Sequence, residues 1–173
     1  AGHGCRGSSR LENVTTLVLT VVGADRSGLV AAVAEVVGAH GGNWENSQLA
    51  ELAGAFAGVI EVSVPDAAAE GLREALSKLD GLLTITVHAA GEGMADAAPS
   101  RLLDFHVLGN DHPGIVREIS STLSRHGVSI EHLSTQTQDA AMAGGRLFEA
   151  TVVGRVPASV DVDAVTVDLE RIA

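Results

Sequence analysis

The segment Gly23-Ala24-Asp25-Arg26-Ser27-Gly28 returns as Gly109-Asn110-Asp111-His112-Pro113-Gly114, and the two copies are 86 residues apart. The same shift carries Val30 onto Val116, His40 onto His126, Gly41 onto Gly127 and Glu45 onto Glu131. Each copy follows an apolar run and precedes a helix-patterned segment. A single G-x-D-x-x-G has little specificity, but two in register, each at the same place in a larger pattern, predict a duplicated domain. A chain of 173 residues accommodates two compact halves of that size.

The pattern between the loops gives the element order. Thr16–Val22 is a β-rich run. Leu29, Val30, Val33, Val36 and Val37 follow on one face of a helix that ends at His40-Gly41-Gly42, where glycine suits a left-handed terminus. Asn43–Ala53 and Phe56–Val64 read as two strands joined by a tight turn at 53–55. Pro65-Asp66 starts a second helix, with Ala68, Leu72, Ala75, Leu76 and Leu79 on one side, and Leu82–Val87 is the last strand. Residues 90–100 are a Gly/Pro-containing linker. The order then restarts with Leu103, Phe105 and Val107, a helix stripe of Ile115, Val116, Ile119 and Leu123, and a strand pair over 128–138 and 146–153. A longer hairpin joins that pair at 139–145. Val162, Val165, Leu169 and Ile172 give a helical stripe, although Val165–Leu169 also alternates as a strand does.

A β-α-β-β-α-β unit folds as a split βαβ, with a four-stranded antiparallel sheet, both helices on one face, and the first and third strands central. The expected fold is α+β, two ferredoxin-like βαββαβ units, the last strand of the second being absent from this chain. The expected boundaries are 1–13 for a flexible tail, 14–89 and 101–173 for the units, and 90–100 for the linker.

Composition narrows the function. Aromatic residues are 2% of the chain, namely Trp44, Phe56, Phe105 and Phe148, so recognition by stacked aromatics is nearly excluded, and Trp44 is read as core or subunit contact. Twenty-two acidic against eleven basic side chains give a formal net charge of −11. That field repels polyanions, which excludes direct nucleic-acid binding as an expectation. The single Cys5 fits a reducing compartment, and no run approaches the roughly 18 apolar residues of a membrane span. A cytoplasmic protein is expected. The seven His residues show no convincing metal spacing, with His40 and His126 read as helix C-terminal cations. No nucleophile elbow is present. Catalysis, a metal and a cofactor are not expected.

The repeated loop enters a helix, and helix N-termini present free N–H groups and partial positive charge to a carboxylate or phosphate. Gly28 and Gly114 permit close approach, and Asp25, Asp111 or Asn43 would meet the ligand's cation. A structural reading stands beside that one: Asp25 and Asp111 as helix N-caps, Pro113 in the first helical turn, and glycines serving a tight turn.

The stretches Val22–Val30 with His40-Gly41-Gly42-Asn43, and Leu108–Val116 with His126–Ile130, resemble the ACT domain. The tandem pair without a catalytic domain is similar to the glycine cleavage system transcriptional repressor group. The resemblance spans residues 16–172. It implies a non-enzymatic small-molecule sensor, binding an amino acid of glycine or serine type between paired domains. The first β-α loop of one unit and the start of the second strand of another would form the site. The implied ligand-binding residues are Asp25, Ser27, Gly28 and Leu29 with Asn43, and Asp111, Pro113, Gly114 and Ile115 with Ser129. It also implies a homodimer that signals through a regulatory protein partner; no membrane contact is expected, because no apolar run is long enough. The alternatives are a regulatory module of a deformylase- or phosphatase-type enzyme and a ligand-free dimerisation module.

Overall fold

The computed structural model describes residues 13–91, 98–140 and 144–173. The expected tail, and with it Cys5, lies outside these residues, as do parts of the linker and of the second hairpin. The chain divides into two compact units, Ala1–Gly93 and Met94–Ala173.

In the first unit, β1 (Val14–Ala24) leads through the repeated loop to α1 (Leu29–Ala39). Then come β2 (Asn43–Leu52), β3 (Ala55–Pro65), a 3-10 turn (Asp66–Ala68), α2 (Ala69–Ser77) and β4 (Thr84–Ala89). The antiparallel sheet has the order β2-β3-β1-β4, so the first and third strands are central as expected. Strand alternation puts Leu17, Leu19 and Val21 of β1 and Ile60, Val62 and Val64 of β3 on one buried face. Leu29, Val33 and Val37 of α1, Leu72 and Leu76 of α2, and Leu83 complete that core. Trp44 is half-buried and packs against it.

The second unit repeats the plan with β5 (Ser100–Asn110), α3 (Ile115–Arg125), β6 (Ser129–Asp139), β7 (Arg146–Pro157) and α4 (Val162–Glu170). Among the described residues its sheet has three strands, ordered β5-β7-β6. The ambiguity at 165–169 resolves as helix. Asp161 caps it by accepting a 3.0 Å bond from the Asp163 N–H, and Val165 and Leu169 enter a core with Phe105, Val107, Ile119 and Val152. A Cβ placed on Gly23 would lie 2.8 Å from the Leu82 carbonyl oxygen, and one on Gly109 would lie 2.6 Å from the Ala173 backbone. Both glycines thus let the segment after the second helix cross close to the first strand.

Val30 and Val116, expected on the buried helix stripe, are 43% and 41% exposed; each follows the first stripe residue by about 100° of helical turn, which carries it off the core face. The 86-residue spacing also does not hold throughout. Leu19 pairs with Ile60 and Phe105 with Val152, so the third strands are 92 apart, and Phe56 corresponds to Phe148. Six extra residues in the second hairpin account for the change. No helix among the described residues is long and apolar enough to cross a membrane.

Candidate functional site

The loop after β1 is anchored to the neighbouring hairpin: the Asp25 N–H donates to the Gly54 carbonyl at 3.0 Å. In the second unit the Asp111 N–H donates to the Arg146 carbonyl at 2.8 Å. These bonds extend the sheet ladders past their last paired residues, Ala24–Ala55 and Asn110–Leu147. The chain then reverses through a left-handed glycine, Gly28 at φ 89° and ψ 1°, or Gly114 at φ 95° and ψ 0°. The helix begins at the next residue.

That geometry overturns the capping expectation. The N-cap residues are Gly28 and Gly114, and neither helix receives a side-chain cap bond. Asp25 and Asp111 stand three residues too early, with their backbones committed to the sheet. Pro113 precedes the cap and so lies outside the first helical turn. Both helix starts therefore keep first-turn amides that no side chain satisfies, although the Ile115 N–H donates to the His112 carbonyl at 3.3 Å. A Cβ on Gly28 would meet nothing within 4 Å, so left-handed backbone, rather than crowding, calls for glycine there.

Asp25, Ser27, Gly28 and Leu29 share the first loop, with Asp25, Ser27 and Gly28 exposed and Leu29 buried. Asp111, Pro113, Gly114 and Ile115 share the second, where Ile115 is the buried member. Asn43 and Ser129 are elsewhere. Asn43 pairs with Ser63, eight residues along β3 from Ala55 beside the loop. At roughly 3.3 Å per residue, the sheet separates them by roughly 26 Å. Ser129 pairs with Arg155, again eight residues from Leu147. Loop and second-strand start therefore occupy opposite ends of their own unit's sheet, and no single unit unites them.

At the Asn43 end a β-bulge falls at Glu45, and at the Ser129 end one falls at Glu131. In the sequence this pair stands out only as part of the repeat. Glu45 Oε1 accepts from Ser63 Oγ at 2.5 Å and from Asn43 Nδ2 at 2.9 Å. These bonds, Ser63 first, hold its carboxyl below the ordinary glutamate range. Glu131 takes a different partner, Arg155 Nε at 2.7 Å. A bulge turns the strand locally and re-aims side chains, so both strand starts present a fixed carboxylate next to the implied ligand residue.

His40 and His126 are the C-cap residues of α1 and α3. His40 Nδ1 donates to the Val36 carbonyl at 2.8 Å. His126 Nε2 lies 2.8 Å from Asp168 Oδ2 and ties α3 to α4. That contact, with smaller help from Arg171, keeps the Asp168 carboxyl below the ordinary aspartate value near 3.8.

Comparison with known proteins fits this architecture. ACT domain profiles match residues 15–90 and 106–164. The UPF0237 protein of Methanopyrus kandleri is 37% identical over 76 residues, covering 43% of this chain and 84% of that protein. The crystal structure of an unknown protein from Galdieria sulphuraria superposes with a TM-score of 0.80 at 28% identity, over 92% of each chain. That of a candidate glycine cleavage system transcriptional repressor gives 0.65 at 17% identity, over 92% of this chain and 90% of the other, a likeness of fold. The duplicated split βαβ units, their matched loops and these relatives agree: the chain belongs to the ACT family and carries two ACT domains in tandem.

Proposed function

We propose that this protein is a non-enzymatic regulator that binds a small amino acid, of glycine or serine type, at its repeated β-α loops. It signals through a protein partner. The observation that carries the reading is the pair of helix starts at Gly28 and Gly114, uncapped by any side chain and reached through the same backbone geometry. Such a start suits an α-carboxylate, and Asp25 or Asp111 lies within the same turn of chain to meet an ammonium. Membership of a family of amino-acid-sensing regulatory domains supports the same ligand class.

The separation of Asn43 and Ser129 from the loops of their own units supports a site shared between paired domains. We assign the missing half to an ACT domain of a second copy, so the protein works as a homodimer. Ligand then acts by linkage: it favours whichever arrangement binds it better, by no more than its difference in affinity. The process assigned to it is transcriptional control of amino-acid metabolism, glycine metabolism first. A net charge of −11 leaves contact with nucleic acid to the partner.

A thermal-shift screen against single amino acids tests this. At a concentration ~100 times its dissociation constant, a ligand stabilises the native state by ~2.7 kcal/mol. Glycine or serine is expected to raise the melting temperature, and Gly28→Leu with Gly114→Leu to erase the rise. No shift with any amino acid contradicts the reading.

A further inference from the structure

The two loops share a backbone path but not a charge environment. The hydrogen bond that anchors the loop ends on Gly54 in the first unit and on Arg146 in the second. The first anchor has no side chain. The second carries a guanidinium whose Nη1 lies 3.9 Å from Asp111 Oδ2, while its Nη2 donates to Thr137 Oγ1 on the adjacent strand. Arg146 is thus oriented toward the carboxylate by a neighbour, and the Asp111 side chain keeps only 24% of its exposure. A second cation is close, since a Cβ on Gly114 would lie 3.5 Å from Arg117 Nη2; the corresponding residue of the first unit is Ala31. Asp25 is exposed and makes no ion pair among the described residues. Its neighbour Arg26 turns away to the Gly81 carbonyl at 3.2 Å.

We propose that the loops have diverged in ligand charge. The first offers a free carboxylate to the ammonium of an amino acid, whereas in the second Arg146, 3.9 Å from Asp111, competes for it. This deepens, and rests on, the proposed amino-acid function. An exposed ion pair is a weak competitor, worth about 1 kcal/mol at most, so the expected discrimination against an ammonium is about fivefold rather than absolute. A carboxylate without an ammonium does not compete with Arg146 at the second loop, where Arg146 and Arg117 stand against one first-turn carboxylate, Glu118, whose Oε2 lies 3.8 Å from His112 Nε2.

The test is a nitrogen-15 NMR titration of the full chain with glycine and, separately, acetate, following the Gly28 and Gly114 amides. Gly28 should respond to glycine with about fivefold higher affinity than Gly114, and acetate should reverse or abolish that order. Arg146→Gln, which keeps side-chain bulk, and Arg146→Gly, which copies Gly54, should bring the glycine isotherm at Gly114 up to that at Gly28 without moving the latter. The spectra themselves report whether each variant is folded. Equal glycine affinities in the unmodified protein, an unmoved Gly114 isotherm in both variants, or the same preference with acetate overturns the charge divergence alone. Silence at both amides overturns the amino-acid function and the divergence with it.

Discussion

Three positive-φ positions, two in the repeated loops and one in the β2–β3 turn, carry local backbone energetics. Gly28 and Gly114 hold φ near +90°, a region that costs a residue with a Cβ about 1–2 kcal/mol. Gly28→Ala meets no neighbour within 4 Å, so the loss is purely conformational and should appear as that decrease in urea unfolding. Ala53, in the β2–β3 turn, is the reverse case, a non-glycine residue at φ 52° among the described residues. Ala53→Gly should raise stability by up to about 1 kcal/mol, offset in part by the entropy glycine adds to the unfolded chain. A decrease in stability would contradict the assigned strain. Titration supplies a further residue-scale prediction. The folded-state pKa of Asp168 is depressed, first by its bond to His126, so its contribution to stability is fully present above the unfolded-state value. That contribution is lost as pH falls through the lower folded value. Guanidinium unfolding at a series of pH values below 4.5 should therefore show a shallower acid decline for Asp168→Asn than for the unmodified protein. An identical decline would mean that the His126–Asp168 contact adds nothing.

At the scale of elements, the sequence carries most of the plan because burial is periodic. Leu17, Leu19 and Val21 alternate into the core, as do Phe105 and Val107, and no other assignment of those runs buries them all. The helix stripes were legible for the same reason, except at Val30 and Val116, where apolar character outlasts burial. Helix α4 was ambiguous because Val165 and Val167 suit either period; the Asp161 cap settles it, together with the exposure of Val167. The loops were legible as elements but not in their caps. Aspartate is a strong N-cap type, yet here the sheet ladder holds its backbone and a left-handed glycine begins the helix. Arg146 was hidden by the six-residue insertion, since the constant spacing sets it against Ile60 whereas the hydrogen-bond pattern sets it against Gly54. The bulges at Glu45 and Glu131 leave no sequence signature beyond the repeat itself.

For the whole molecule, duplication means two cores, each built from its own unit's strands and helices. Leu19 is fully buried in the first, and Leu19→Ala should cost about 2–5 kcal/mol. Because the cores are distinct, hydrogen exchange should show that loss in the strands β1 to β4 while protection in β5 to β7 stays near its original level. Equal loss in both units would mean that they unfold as one cooperative body. Whether the repeated loops receive an amino acid is decided by isothermal titration calorimetry of the full chain with glycine and with serine. A saturable heat is expected with at least one of them, abolished when Gly28→Leu and Gly114→Leu are combined in a protein that remains folded. No heat with either amino acid, or undiminished binding by the folded double variant, would contradict it.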